Sequence, residues 1–223
     1  MPRTNRLLDQ LPASDREAVL SGCEAVELLS GAVLAEPGKK IRDIYFPIGS
    51  VVSLLVPAKP KAALEVGLVG NEGVWGAPVA LGVEISPVRA VVAGGGQAWR
   101  MREAEFRREV ARLASLRNCL NHYIYQTMAQ LMQTASCNRF HFIEQRVARR
   151  LLMAADREHS SSFELTHEFL AYVLGVRRVG VTEAASKLQD RKLIVYKRGL
   201  VTITDRKGLE RASCPCYRWD VFD

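Results

Sequence analysis

Residues 163–205 read FELTHEFLAYVLGVRRVGVTEAASKLQDRKLIVYKRGLVTITD, and the order of apolar, small and basic positions here decides the architecture of the chain's second half. Thr166 is placed to cap a helix, its hydroxyl oxygen accepting an amide three residues on, at Phe169, while Glu168 puts negative charge in the first turn, where the helix dipole favours it. That helix is predicted to end near Leu174. Gly175 then supplies the positive φ that a tight turn between crossed helices needs, and Ala171 is small enough to let them approach. A second helix, predicted over 177–189, buries Val181, Ala184, Ala185 and Leu188 and leaves Arg177, Arg178, Val179, Thr182 and Glu183 on its other face. Residues 193–196 and 200–203 flank Lys197-Arg198-Gly199, the pattern of a β-hairpin with a basic tip. A helix-turn-helix followed by such a wing lets the second helix enter the major groove of duplex DNA while the hairpin grips adjacent phosphates.

Upstream, no Gly or Pro occurs between Glu103 and Leu174, the composition of long helices. Leu113, Leu116, Leu120, Ile124, Met128, Leu131 and Ala135 recur at intervals of three and four, which keeps one apolar stripe on a single helix face. The stripe packs either on the chain's own β-domain or against a second subunit. The second reading is favoured, because so long a stripe exceeds what one small roll covers. Asn138 breaks it, and a further helix with Ile143, Val147, Leu151 and Ala154 inward is predicted to about His159.

Residues up to about Arg102 alternate short apolar runs with Gly and Pro punctuation, as in 26–29, 44–46, 51–56, 64–69, 88–92 and 98–101, which reads as an antiparallel β-roll. Ser14-Asp15-Arg16-Glu17 has the form of a capped helix start ahead of it. Gly94-Gly95-Gly96 reads as a hairpin turn. The expected fold is α+β: a β-roll over 1–110, a dimerisation helix over 111–137 and a winged helix-turn-helix over 138–223.

The chain has 223 residues, 48% of them hydrophobic and 25% charged, the balance of an ordinary globular protein. No run approaches the roughly 18 apolar residues of a membrane span, and the first twenty lack a signal-peptide core, so a cytoplasmic protein without a membrane partner is expected. The formal charge of +7 is uneven, with 16 basic against 11 acidic residues from Cys137 onward. Such a surplus suits a polyanionic partner.

The segment L-T-H-E-F-L-A-Y-V-L-G-V-R-R-V-G-V-T-E-A-A-S-K-L-Q-D-R-K-L-I resembles the DNA-binding domain of the cyclic-AMP receptor protein and fumarate-nitrate regulator (Crp/Fnr) family. Residues 28–38 (LLSGAVLAEPG) and 44–51 (IYFPIGSV) are similar to the opening turns of that family's cyclic-nucleotide-binding roll. The resemblance implies a bacterial transcription regulator that binds double-stranded DNA as a homodimer, with RNA polymerase as a further partner. By position it places base reading on Arg178, Val179 and Glu183, beside Arg177 and Thr182. Val179 departs from the family's polar reader and offers only apolar contact. Thr166, His167, Lys187, Lys197 and Arg198 are the candidates for phosphate contacts.

The family's nucleotide site uses a Gly-Glu before a short helix and an Arg followed by Ser or Thr. Here Glu72 and Gly73, then Arg89 and Ala90, fall in those places, and Ala90 removes the hydroxyl. A cyclic nucleotide is therefore disfavoured, another small effector stays open, and Glu72 pairing simply with Arg89 is the plain structural alternative. No cofactor is expected. Cys23, Cys119, Cys137, Cys214 and Cys216 are too scattered for a disulfide framework. Cys214-Pro215-Cys216 offers two ligands, which do not complete a zinc site, so no metal is expected either. An enzyme built on the roll is disfavoured because His122, His141, His159 and His167 all lie beyond it. An interaction module sensing nucleotide or redox state, with a decayed DNA domain, predicts loss of Arg177, Arg178 and the basic wing tip, which are present.

Overall fold

A computed structural model describes residues 4–59 and 62–219. The chain forms two compact units, one of residues 1–54 with 68–128 and the other of residues 55–67 with 129–223.

The first unit opens with α1 (Arg6–Asp9), capped by Asn5, whose side chain accepts the Leu8 amide at 3.1 Å. Next comes α2 (Ala13–Ser21), whose N-cap is Pro12, so the helix starts one residue before Ser14 and that serine lies inside it rather than capping it. The roll follows as β1 (Glu24–Leu28), β2 (Val33–Ala35), β3 (Asp43–Pro47), β4 (Val51–Lys59), β5 (Ala62–Val69), β6 (Arg89–Gly94) and β7 (Gly96–Arg102). Two sheets result, in the orders β1-β7-β3 and β2-β6-β4-β5. Val52, Val69, Ala90, Val92, Ala98, Tyr45 and Trp75 form the apolar layer of the roll.

Because β6 and β7 lie in different sheets, Gly94-Gly95-Gly96 is a crossing from sheet to sheet, not the predicted hairpin turn. Gly96 has φ +153°, and a Cβ there would come within 2.6 Å of the Gly49 carbonyl oxygen, so only glycine permits the two backbones to pass.

After β7 come α3 (Glu103–Arg112) and α4 (Ala114–Phe140), separated at Leu113, whose φ of −104° and ψ of 106° are extended. The apolar stripe thus begins in a helix break rather than within one helix, and α4 runs two residues past Asn138. Leu113, Leu116 and Leu120 are buried within the first unit, while Met128 and Leu131 are 49% and 37% exposed. The predicted seam is therefore divided: its first three leucines serve the roll, and only the later positions are uncovered.

The second unit continues with α5 (Ile143–Glu158), β8 (Ser162–Glu164), α6 (His167–Leu174), α7 (Arg178–Asp190), β9 (Ile194–Lys197), β10 (Leu200–Ile203) and α8 (Arg206–Ala212), closed by a 3-10 turn over Pro215–Trp219. Val147 and Leu151 of α5 are fully buried, as the periodicity predicts. Residues 55–67, the tip of the β4–β5 pair, belong to the second unit, where Glu65 takes a two-pronged ion pair from Arg150 of α5, at 2.5 and 3.1 Å. Both side chains are under 10% exposed.

Candidate nucleic-acid interface

The helix-turn-helix is built as its sequence dictates. Thr166 caps α6 through its hydroxyl oxygen, which accepts the Phe169 amide at 3.1 Å. Gly175 sits at φ +65°, and Val176 turns back to bond the Ala171 carbonyl at 3.1 Å. Arg146 of α5 donates to the Leu174 carbonyl at 2.6 Å, placing a cation on the C-terminal end of α6, where the helix dipole is negative. On α7, Val181, Ala184, Ala185 and Leu188 are buried, and Gly180 brings the helix close to Ile143 at the start of α5.

That burial leaves the opposite face of α7 to solvent. Arg178, Val179, Thr182, Glu183 and Lys187 are all exposed there, and Arg177 is the exposed N-cap just before it. One face carries every predicted base-reading residue. Thr182 does more than stand in the row: its hydroxyl donates to the Arg178 carbonyl at 3.1 Å and lies 3.2 Å from Nδ1 of His167. His167 also packs edge-on against Tyr196 of the wing, with ring centroids 4.3 Å apart. Burial first, and the neighbouring Arg178 cation second, lower its pKa below 6.5. At neutral pH the imidazole is thus uncharged, and it locks α6, α7 and the wing together.

The wing is a three-stranded sheet in the order β8-β10-β9, so the predicted hairpin has gained a strand. Ser162–Glu164 is too short to show an alternating pattern. At the tip, Arg198 and Gly199 both have positive φ, +52° and +84°, the signature of a type I′ turn. Lys197 and Arg198 are exposed there. Thr166 is exposed as well, with its hydroxyl oxygen already engaged in the cap.

The residues matched to the effector pocket do not converge. Glu72 is buried and accepts the Gly70 amide at 3.1 Å. Arg89 pairs not with Glu72 but with Glu36, in the loop after β2, at 3.2 Å. Ala90 is wholly buried in the roll, and Gly73 lies so near Tyr123 of α4 that a Cβ would overlap its ring. The fold does bring together residues that spacing alone leaves apart. Cys214 and Cys216 stand beside Cys137 and His141, more than seventy residues earlier in sequence, so the two-ligand reading of Cys-Pro-Cys is incomplete.

A β-roll, a long helix and a winged helix-turn-helix that presents arginines from the second helix define a DNA-binding transcription regulator. Residues 145–212 match the family model of the Crp-like helix-turn-helix domain. The second unit thus carries a Crp-like helix-turn-helix domain. Its fold is similar to that of a Crp/Fnr-family transcriptional regulator from Thermus thermophilus (TM-score 0.69, 21% identity, 85% of this chain and 98% of that one). It is similar also to FixK2 from Bradyrhizobium japonicum (0.71, 11%, 86% and 98%). The c-di-GMP-responsive regulator CLP from Xanthomonas campestris has the same fold (0.67, 15%, 86% and 99%). No curated protein matches. Among the described residues no helix is long and apolar enough to cross a membrane.

Proposed function

We propose that this regulator binds an imperfectly palindromic operator as a homodimer in the cytoplasm, and that the effector pocket of its roll is altered from the nucleotide-binding form. The exposed row Arg177, Arg178, Val179, Thr182 and Glu183 on α7 carries this reading. It is backed by a buried apolar face and flanked by the wing cations Lys197 and Arg198. Arg178 is suited to bidentate pairing with guanine O6 and N7, Val179 to a thymine methyl, and Glu183 to cytosine N4 or to orienting an arginine. Thr166, His167, Lys187, Lys197 and Arg198 contact phosphates. Two such helices about 34 Å apart read successive major grooves, which is what makes the operator palindromic. RNA polymerase is a partner where the bound dimer activates.

The uncovered side of α4, with Ile124, Met128, Leu131 and Ala135 in the repeat and Tyr125 and Met132 beside it, supports the homodimer. The loss of a hydroxyl at Ala90, and the engagement of Arg89 by Glu36, support an altered pocket. Thermal shifts with cyclic mononucleotides, cyclic di-GMP and haem test for an effector, since a ligand selective for the native state raises the midpoint.

Selection from a random duplex library tests the reading directly. The wild type is expected to enrich a two-fold-related pair of half-sites. Arg178→Ala is expected to relax one base position in each half-site, a loss of about 1–3 kcal/mol of discrimination. A protein that stays monomeric and enriches no sequence, with or without those ligands, overturns the reading.

A further inference from the structure

Four potential ligands converge within the second unit. Cys137 lies in the last turn of α4 and His141 is the residue just past its end, with its amide donating to the Cys137 carbonyl at 3.1 Å, so the two side chains stand one turn apart. Cys214 and Cys216 flank Pro215 where the closing 3-10 turn begins. The Sγ atoms of Cys137 and Cys214 are 3.5 Å apart, and Cys216 Sγ is 3.5 Å from Nδ1 of His141. All four donor atoms lie within 4.8 Å of one another. Three sulfurs and one imidazole nitrogen this close need side-chain shifts of under about 1 Å to surround a single ion at the roughly 2.0–2.3 Å ligand distances of zinc.

Buried free cysteines often serve as small apolar filler, and these three are each 1% exposed. Filler does not explain their polar surroundings. Gln133 Nε2 donates to Cys216 Sγ at 2.9 Å, and Arg149, itself buried, lies beside Cys137. The tail is also held in place independently of the cluster. Arg206 donates to both Asp156 (2.6 Å) and the Tyr217 hydroxyl (2.7 Å), and that hydroxyl donates to Asp156 at 2.6 Å. Residue 217 is thus tied to α5, and Cys214 and Cys216 are presented to α4 as a preformed half-site.

We propose that Cys137, His141, Cys214 and Cys216 bind one Zn2+ per chain in a closed tetrahedral site that clamps the C-terminal turn to the end of α4. Binding deprotonates the three thiols, releasing their protons to solvent, with no change of oxidation state. The set of three thiolates and a divalent ion carries one net negative charge, which the buried cations of Arg146 and Arg149 offset. Soft thiolates with one imidazole, and no open position, select zinc and give the site a structural role. His141 lies two residues before α5, on which α7 packs, so the clamp steadies the base of the recognition helix.

The test begins with full-length protein purified under reducing conditions without chelator, and counts metal per chain by elemental analysis. One zinc per chain is expected. The metal-free protein titrated with Co2+ should develop tetrahedral absorption together with sulfur-to-cobalt charge transfer that saturates at one equivalent. Cys214→Ser and Cys216→Ser should lose that spectrum, while Cys23→Ser and Cys119→Ser keep it. Should the serine variants misfold, His141→Cys settles the matter: a fourth thiolate raises the charge-transfer intensity by about one third while the metal stays bound. A natively folded, reduced wild type that takes up no cobalt overturns the proposal. So does a Cys137–Cys214 disulfide that persists in reductant, or the recovery of iron with acid-labile sulfide in place of zinc. None of these outcomes depends on whether the protein binds DNA.

Discussion

Arg150 and Arg178 carry the same guanidinium to opposite ends. Arg178 stands in water on the exposed face of α7, where its fork is free to meet a base. Arg150 is 4% exposed and spends its fork on Glu65. Removing one member of such a pair leaves the other charged and buried, so Arg150→Met is expected to cost about 3–5 kcal/mol of stability. The double variant Glu65→Leu/Arg150→Met, which removes both charges, should recover most of that loss, as chemical denaturation of the two proteins will show. His167 adds a pH dependence. Its folded pKa lies below its unfolded 6.5, so the unfolded chain takes up the proton first as the pH falls. The stability it contributes is complete above pH 6.5 and is lost as acidity approaches the lower, folded pKa. His167→Gln should flatten the fall in melting temperature between pH 7 and pH 5, even though the lost ring packing against Tyr196 lowers the whole curve.

At the scale of elements, the wing tip separates charge from conformation. Arg198 holds φ +52°, a region that favours glycine, so Arg198→Gly removes the charge while relieving strain. Its stability should stay within about 1 kcal/mol of the parent. Its salt slope for DNA binding should fall by about one unit, the cost of one phosphate contact. A slope that does not move places Arg198 away from the backbone of the duplex. The same elements show how much sequence makes legible. The cap at Thr166, the turn at Gly175 and the buried face of α7 are written in local spacing, and helix-period patterns report such features directly. The strand at Ser162–Glu164 has three residues and no alternation to detect. The break at Leu113 sits within an apolar stripe that continues through it, because a leucine suits both the end of α3 and the roll beneath. The sheet crossing at Gly94–Gly96 and a hairpin turn ask for the same residues, so only the pairing of β6 and β7 with different neighbours tells them apart. The Cys137, His141, Cys214 and Cys216 cluster is hidden for a related reason. Its two halves are each unremarkable in sequence, and proximity across more than seventy residues is a property of the fold.

At the scale of the whole molecule, the question is what covers α4. Leu116 and Leu120 in its first turns, like Leu113 just before it, are satisfied within their own unit, so the apolar surface left over is the later run, where Tyr125 and Met132 are 69% and 67% exposed beside Met128 and Leu131. Their spacing keeps them on one side of the helix, and a helix face that repeats over three turns is self-complementary when a second copy lies along it about a two-fold axis. A dimer held this way has no use for charge at its centre. Met128→Glu combined with Leu131→Glu should therefore dissociate it, since two pairs of carboxylates would meet across the axis in a poorly solvated seam. Each position is already partly exposed in the single chain, so the folded monomer should tolerate the change, and the melting temperature at low concentration should move little. Light scattering is expected to show a monomer at concentrations where the parent is a dimer. Operator affinity should fall toward that of nonspecific binding, because each half-site is then held by one recognition helix alone. Covalent linkage of two variant chains through a flexible linker should restore part of that affinity by raising the effective concentration of the second helix. A double variant that remains dimeric places the subunit contact elsewhere and separates operator spacing from the uncovered face of α4.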